Sequence, residues 1–219
     1  MKENNTIKTI FMDYDGTIHD SITIYAPAFN IAYKYLVNEG LADEKEWTNK
    51  EVSYWLGLSS KEMWEQFMPH IDEEMRKKAS EIIGQELIKQ IKLGKAKLFD
   101  GAIETLQYLK AKGYKLIFLS NCNSYYKEIH KSIFGLDRYF TELIGAQEFN
   151  YIPKSSILEL VMQKYEPDMC IVGDRVQDIN AGRMNGLKTF GCLYGYGLQN
   201  ELEDADIKIN NIIELKKYL

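Results

Sequence analysis

Cysteine is too scarce and too irregularly placed in this sequence for disulfides or structural zinc to hold the fold together. The 219 residues include three cysteines, Cys122, Cys170 and Cys192. An odd number at uneven spacing matches neither a disulfide framework nor a zinc ligand set. Cys170 and Cys192 lie in apolar segments and are predicted to be small core residues, whereas Cys122 could be exposed near the acidic motif described below.

Long apolar runs and strong positive charge are also missing. No segment is long enough to span a bilayer, and no signal peptide is predicted, because the first apolar run is short and leads directly into Asp13. The net charge is −5 and no basic stripe occurs, so neither a membrane nor a nucleic acid is an expected partner. We therefore expect a cytoplasmic protein, and the sequence leaves both a monomer and a dimer open.

The remaining composition is that of an ordinary globular chain, with 45% hydrophobic and 27% charged residues. This length can hold one large domain or a core with a smaller insert. The acidic balance does not exclude an anionic substrate, because a bound divalent cation would reverse the local field.

The most informative segment is a pair of carboxylates at the end of an apolar strand. The strand is predicted at residues 7–12, and Asp13, Asp15 and Gly16 follow it. Gly16 supplies the turn that ends the strand. An acidic pair at the carboxyl end of a strand, followed by small hydrogen-bond donors, suits a metal ion and a phosphate. On its own, the same segment could be an acidic loop that closes a strand.

Apolar strands alternate with helical patterns in two blocks, and a purely helical stretch separates the blocks. This alternation predicts a parallel sheet covered by helices on both faces. We therefore predict an α/β, doubly wound core formed by residues 1–17 and 98–219, with an inserted α-helical domain at residues 18–97. The predicted core strands are residues 7–12, 114–119, 142–146, 169–172, 188–193 and 207–209, and a closing helix is predicted at residues 212–218.

Polar residues recur where the later strands end. Ser120 and Asn121 close the second strand, Lys154 opens a helix, and Asp174 closes another strand, with Asp178 four residues later. Taken alone, Ser120-Asn121 is typical of a helix N-cap and Lys154 of a solvated lysine. These residues indicate a functional site because they follow the acidic pair in this particular order along the chain.

Four short motifs in this order resemble those of the haloacid dehalogenase superfamily of phosphatases. The motifs are Asp13-Tyr14-Asp15-Gly16-Thr17, Ser120-Asn121, Lys154, and Gly173-Asp174 with Asp178. The segment Tyr194-Gly195-Tyr196-Gly197 is similar to a late loop of the phosphoglycolate-phosphatase-like members, which carry a helical cap.

The resemblance implies a Rossmann-like core with strand order 3-2-1-4-5 and an α-helical cap domain. In open α/β sheets, ligands bind at the carboxyl ends of strands beside the point where the strand order reverses. Asp13 and Asp174 end strands one and four, which flank that point. The resemblance and the general rule therefore select the same place.

The resemblance also implies a Mg²⁺-dependent phosphatase that acts on a small phosphorylated metabolite through an aspartyl-phosphate intermediate. Asp13 would be the nucleophile, and Asp15 would be the general acid and base. Gly16, Ser120 and Asn121 would bind the substrate phosphate.

Lys154 would also bind the phosphate in this scheme. Oxygen ligands suit Mg²⁺, which would be held by Asp13, Asp174 and the backbone carbonyl of Asp15. Asp178 would hold a metal-bound water or position Asp174 and Lys154. The sequence identifies neither the physiological substrate nor the cap residues that contact it.

Other functions on the same scaffold have their own sequence expectations. A non-catalytic phosphate-binding or regulatory protein should have lost a charged motif residue, and none is lost. A phosphoryl mutase of the superfamily would carry a hinge histidine where Tyr25 stands. Dehalogenases lack the second carboxylate, and phosphonate hydrolases replace it with alanine, whereas Asp15 is present here.

Several neighbouring residues receive no functional role from the sequence. Tyr14 stands where an aliphatic residue or phenylalanine is usual in the family, and its hydroxyl is expected near solvent or the neighbouring strand. His19 and Arg175 are expected at the surface, although His19 could line the pocket. His130 carries no functional signal.

Overall fold

The computed structural model describes residues 7–219 and contains one parallel sheet of six strands. In the sheet the strands stand in the order β3-β2-β1-β4-β5-β6, and every neighbouring pair is parallel. The strands are β1 (Thr9–Met12), β2 (Lys115–Ser120), β3 (Glu142–Gly145), β4 (Met169–Gly173), β5 (Lys188–Cys192) and β6 (Ile207–Ile209).

Eight α-helices accompany the sheet in the part of the chain that the structure describes. They are α1 (Ile22–Asn38), α2 (Asn49–Ser53), α3 (Ser60–Phe67), α4 (Glu73–Lys92), α5 (Ala102–Ala111), α6 (Ser124–Phe134), α7 (Lys154–Met162) and α8 (Val176–Met184). Four short 3₁₀ helices complete the chain, at Leu136–Arg138, Ala146–Phe149, Gln199–Leu202 and Ile212–Lys217.

The chain divides into two compact units. The sheet unit runs to His19 and resumes at Leu98, and the helical unit is Asp20–Lys97. Ile18 and His19, which the sequence analysis assigns to the insert, belong to the sheet unit. Ile18 is fully buried in its core, and His19 forms a backbone bridge with Leu98.

Two hydrophobic clusters build the core of the sheet unit. Strand β1 is central and buried along its whole length, because its alternate side chains enter the two clusters. Ile10 and Met12 belong to one cluster, and Phe11 belongs to the other. A central parallel strand covered on both sides needs such a continuous apolar run.

The strand register brings the predicted motif residues to one edge of the sheet. Met12 pairs with Phe118 on one side and with Val172 on the other. Asp13 therefore stands level with Leu119 and Gly173, one residue before Ser120 at the end of β2 and Asp174 after β4. Asp13, Ser120 and Asp174 all lie at the carboxyl ends of neighbouring parallel strands.

The predicted α/β fold class is confirmed, and the strand order extends the predicted 3-2-1-4-5 by a sixth strand. The segment predicted as a closing helix, residues 212–218, is a 3₁₀ helix, Ile212–Lys217. Ile212 and Leu215 anchor it in the core, and their spacing of three residues matches the period of a 3₁₀ helix.

The helical unit has its own core and its own N-terminal caps. Its helix α1 packs along α4, and Trp64 is buried and donates its indole N–H to Ser80 Oγ at 2.7 Å. Thr48 and Ser59 form capping boxes with the glutamates three residues later. Within residues 7–219, no helix is both long and apolar enough to cross a bilayer.

We expect Leu106→Ala to lower the free energy of unfolding by about 2–5 kcal/mol, because the substitution leaves a cavity in the sheet core. Leu106 is fully buried on α5. The matched control is Leu160→Ala, whose side chain is 57% exposed on α7. Urea denaturation would compare the two variants, and equal losses would contradict the assignment of Leu106 to the core.

Candidate active site

Four charged side chains meet at the carboxyl edge of the sheet. Lys154 Nζ lies 2.7 Å from Asp13 Oδ1 and 2.6 Å from Asp178 Oδ1. Carboxylate oxygens of Asp13, Asp174 and Asp178 all lie within 4.8 Å of one another. All four side chains are buried, so water screens these charges little.

Lys154 reaches this cluster from the first position of α7. Pro153 precedes it with an extended backbone, which is the usual conformation of the residue just before a helix begins. The isolated interpretation of Lys154 as a solvated lysine is wrong, because its residue surface is only 6% exposed. Although burial alone would lower the pKa of Lys154, the carboxylates of Asp13 and Asp178 raise it, so the lysine stays charged.

Three carboxylates surround the single lysine, and the pKa values of two of them, Asp13 and Asp174, are raised. Burial raises the pKa of Asp13 well above its usual value; Lys154 opposes this rise, whereas Asp178 and Asp174 add to it. Burial, followed by the charge of Asp178, raises the pKa of Asp174 to about 7. Three buried carboxylates therefore share one ammonium group, and the charged forms of Asp13 and Asp174 are disfavoured.

Three glycines pack closely around Asp174. A Cβ atom at Gly16 would lie 2.2 Å from Asp174 Oδ2. One at Gly195 would lie 2.3 Å from Asp174 Cβ, and one at Gly197 would lie 1.9 Å from the Asp174 carbonyl oxygen. Gly16 also has φ of +85°, so both its conformation and its surroundings require glycine.

Two hydrogen bonds orient the Asp174 carboxylate within these close contacts. The Tyr196 N–H donates to Oδ2 at 2.7 Å, and the Thr17 hydroxyl donates to Oδ1 at 3.2 Å. The loop Tyr194-Gly195-Tyr196-Gly197 therefore helps to position Asp174.

Gly16 is predicted to bind the substrate phosphate, but its backbone N–H already has a hydrogen-bond acceptor within the protein. It donates to the His19 carbonyl at 3.0 Å. The contribution of Gly16 that this structure supports is the turn and the close approach to Asp174.

The side chain of Asp15 lies in a different environment from that of Asp13. His19 Nδ1 lies 2.9 Å from Asp15 Oδ1, and the Tyr126 hydroxyl donates to the same oxygen at 2.8 Å. Burial works to raise the pKa of Asp15, but the hydrogen bond and charge of His19 lower it below its usual value. The two carboxylates of the motif therefore differ in their partners and in the direction of their pKa shifts.

Three expectations for neighbouring residues are corrected. His19 is fully buried rather than at the surface, because its ring packs among aromatic side chains. Tyr14 is also fully buried, and its hydroxyl lies 2.7 Å from His130 Nδ1 rather than near solvent. Arg175 is 5% exposed, and its Nε donates to Glu201 at 2.9 Å.

Ser120 and Asn121 lie at the end of β2, where the sequence places them. The N-cap of α6 is Asn123, whose side chain accepts the Tyr126 N–H at 2.8 Å, so neither Ser120 nor Asn121 is that cap. Ser120 Oγ accepts the Cys122 N–H at 3.3 Å, and the Ser120 side chain also lies within hydrogen-bond reach of the Cys122 thiol. Cys122 is half-buried, and burial raises the pKa of its thiol to about 12.

The chemistry of this donor set fits a hard divalent cation. Its candidate ligands are all oxygens, from the clustered carboxylates and from the backbone carbonyl of Asp15, and Mg²⁺ and Ca²⁺ prefer oxygen ligands whereas soft metals do not. Burial, followed by the neighbouring carboxylates, raises the pKa values of Asp13 and Asp174, and a bound cation would favour the charged form of both groups.

The sequence analysis gave no role to three groups that contact the site. Thr17 belongs to the first motif, so its contact with Asp174 could have been expected. Tyr196 belongs to the late loop that resembles one in the family, although no contact of its N–H with Asp174 is predicted from the sequence. The Tyr126 hydroxyl carries no comparable signal, because a tyrosine in an amphipathic helix is common everywhere. Their contacts depend on segments far apart in sequence.

Comparison with known proteins identifies a family. The family described as haloacid dehalogenase-like hydrolase matches residues 10–192. A phosphoglycolate phosphatase from Vibrio vulnificus strain YJ016 is 26% identical over 196 residues, which cover 87% of this chain and 85% of the relative. A phosphoglycolate phosphatase from Aquifex aeolicus is 28% identical over 195 residues, which cover 87% and 86% of the two chains.

Solved structures share the fold over nearly the whole chain. A crystal structure of a predicted phosphatase from Clostridium acetobutylicum superposes with a TM-score of 0.80 at 23% identity and covers 97% of both chains. The structure of CbbY from Rhodobacter sphaeroides in complex with phosphate gives a TM-score of 0.77 at 18% identity and covers 96% of both chains.

We expect Lys154→Met to lower the free energy of unfolding by about 3–5 kcal/mol without divalent cations, because it leaves buried carboxylates without their counter-charge. The matched control is Lys164→Met, which removes a 55% exposed lysine from its ion pair with Glu142 and should cost about 0–1 kcal/mol. Urea denaturation would measure both, and a loss in Lys154→Met no larger than the control's would contradict the role of Lys154 as a buried counter-charge.

Proposed function

The chain belongs to the haloacid dehalogenase-like hydrolase family and is a phosphatase, and we propose that it hydrolyses a small phosphorylated metabolite through an aspartyl-phosphate intermediate. The observation that carries this proposal is the contrast between Asp13 and Asp15. One carboxylate lies against a lysine and two further carboxylates, and the other lies against a histidine and a tyrosine. Two carboxylates in unlike environments are suited to two different roles.

Asp13 is the proposed nucleophile. Lys154 holds its Oδ1 at 2.7 Å, which leaves Oδ2 as the oxygen that attacks phosphorus. A bond forms between Oδ2 and phosphorus while the bond from phosphorus to the leaving oxygen breaks. The charge of Lys154 lies where negative charge accumulates during this transfer.

Asp15 is the proposed general acid and base. Although burial works to raise the pKa of Asp15, the hydrogen bond and charge of His19 lower it, so the protonated form that acts as the acid is the minor one. It gives its proton to the leaving oxygen, and the product departs as an alcohol. It then takes a proton from the water that attacks the aspartyl phosphate. Inorganic phosphate leaves, Asp13 is restored as a carboxylate, and Asp15 is protonated again, so the cycle balances.

Ser120, Asn121 and a divalent cation complete the proposed site. Ser120 donates its hydroxyl to the transferring phosphoryl group, and Asn121 donates its backbone N–H. Asp13, Asp174 and the Asp15 carbonyl would hold the ion, which we propose to be Mg²⁺. When bound, Mg²⁺ supplies positive charge that reduces repulsion between the phosphate and the carboxylates. Asp178 positions Lys154 through the 2.6 Å contact between them.

Phosphoglycolate is the first substrate to test, because the relatives reported above are named for it. We propose that the helical unit, Asp20–Lys97, selects the substrate, since every side chain assigned to the chemistry belongs to the sheet unit. We also propose a reducing cytoplasm as its location, because Cys122, Cys170 and Cys192 are all free thiols.

We expect Asp13→Asn to reduce turnover of phosphoglycolate and of 4-nitrophenyl phosphate by at least about a thousandfold, because an amide is a poor nucleophile. The control is Asp137→Asn, which changes an exposed residue and should keep full activity. Mass spectrometry would exclude deamidation back to aspartate. If Asp13→Asn kept more than roughly a tenth of the activity, Asp13 would not be the nucleophile.

We expect activity to disappear in excess EDTA and to return with Mg²⁺. At constant ionic strength, Mg²⁺ should also raise the Tm of the wild-type protein, because an ion that binds the folded state stabilises it. Asp174→Asn should lose this increase in Tm, whereas Glu159→Gln, a change on the exposed side of α7, should keep it. Full activity in EDTA would exclude the proposed metal dependence.

A further inference from the structure

We propose that His19 and Tyr126 are positioning residues that hold the carboxylate of Asp15 in its working orientation. The inference rests on the proposed function, since it assumes that Asp15 exchanges a proton with the leaving group. His19 lies two residues beyond the first motif, and Tyr126 lies on α6.

Both residues bind the same oxygen of Asp15. His19 Nδ1 lies 2.9 Å from Asp15 Oδ1, the Tyr126 hydroxyl lies 2.8 Å from it, and the two partners lie 3.2 Å from each other. Among residues 7–219, no side chain holds the other oxygen, Oδ2. Two donors on one oxygen fix the plane of the carboxylate and leave Oδ2 to meet a substrate.

The hydrogen-bond inventory assigns the donors in this cluster. An ionised carboxylate only accepts, so the Tyr126 hydroxyl and His19 Nδ1 both donate to Asp15. This assignment places a proton on Nδ1 of His19. Nε2 of His19 is buried with no partner among the described residues, so Nδ1 is the ring nitrogen through which His19 acts on Asp15.

Aromatic packing holds the His19 ring in place. Tyr14 stacks on it with ring centroids 5.0 Å apart and planes 11° apart. His130 lies on another side with its centroid 4.5 Å away, and it is tied to the Tyr14 hydroxyl at 2.7 Å. A buried ring confined in this way has little freedom to rotate. Its hydrogen bond to Asp15 therefore restricts the orientation of that carboxylate as well.

Substrates with different leaving groups can distinguish a positioning role of His19 and Tyr126 from a purely structural one. Departure of an alkoxide from an alkyl phosphate needs a proton from the general acid, whereas 4-nitrophenolate departs easily without one. Loss of structure should reduce hydrolysis of both kinds of ester equally. Loss of the orientation of Asp15 should reduce kcat/KM mainly for the alkyl phosphate, because kcat/KM covers the steps up to release of the alcohol.

The experiment compares phosphoglycolate with 4-nitrophenyl phosphate in the Mg²⁺-loaded enzyme. We expect Tyr126→Phe to lower kcat/KM roughly tenfold more for phosphoglycolate than for the aryl ester, a part of the usual contribution of a general acid. The matched control is Tyr125→Phe, which removes a hydroxyl from the adjacent tyrosine on α6, 59% exposed, and should change neither value.

Substitution of His19 tests the second donor. His19→Leu should show the same selective loss, and His19→Asn should restore most of it, because its amide can place an N–H near the position of Nδ1. If His19→Leu does not fold, Tyr126→Phe alone decides the question, since it removes one oxygen atom and keeps the ring.

A readout independent of turnover is the conformation of Asp15. Crystal structures should show one Asp15 rotamer in the wild type and in Tyr125→Phe, and more than one in Tyr126→Phe. Equal losses for both esters, or an unchanged single rotamer in Tyr126→Phe, would overturn the positioning role. If the wild-type enzyme hydrolysed neither ester nor any other small phosphate monoester, the proposed function would fall instead, and this inference with it.

Discussion

The buried ion pairs of Lys154 are the interaction on which the rest of the site depends. The ammonium group lies within hydrogen-bond distance of Asp13 and Asp178, and the third carboxylate of the cluster, Asp174, lies beside them. Without a counter-charge, three carboxylates this close together and this buried would not all stay ionised. The position of Lys154 at the start of α7 therefore decides how readily Asp13, the proposed nucleophile, can carry its charge in this buried cluster.

The two carboxylates of the first motif show how environment separates groups of the same chemistry. Asp13 and Asp15 are two residues apart, yet one faces a lysine and other acids while the other faces a histidine and a tyrosine. The turn at Gly16 separates these surroundings, because it returns the chain so that His19 lies beside Asp15. Rigid packing of Tyr14, His19 and His130 then gives Asp15 a fixed orientation in an otherwise polar site.

Close packing around Asp174 indicates that the cluster is held against its own repulsion. Gly16, Gly195 and Gly197 let the backbone approach the aspartate more closely than any side chain would allow, and Tyr196 and Thr17 supply hydrogen bonds to its oxygens. A pKa of about 7 at Asp174 shows that its charge is costly in this place without a cation. Functional sites commonly keep such unfavourable groups because the surrounding fold over-determines their positions.

The sequence by itself determined the fold class, the order of the motifs and the edge of the sheet where they meet. These features follow from local patterns: apolar strands that alternate with helices, and polar residues where those strands end. Parallel strands carry their carboxyl ends to one edge, so Asp13, Ser120 and Asp174 could be placed together without coordinates. The closing segment is predicted as a helix without its type, and it is the 3₁₀ helix Ile212–Lys217. Six residues are too few to distinguish the period of a 3₁₀ helix from that of an α-helix.

Only the tertiary structure decided the burial of Lys154, the partners of Asp15 and the packing around Asp174. The motif order placed Lys154 at the site but did not predict its burial. A histidine after a turn and a tyrosine in an amphipathic helix are common at protein surfaces, so composition and spacing gave no sign of the contacts of His19 and Tyr126. His19 is more than a hundred residues away from Tyr126 and His130, which share α6, and the two segments meet because β1 and β2 are neighbours in the sheet. Side-chain environment depends on such long-range packing, whereas secondary structure depends largely on local pattern.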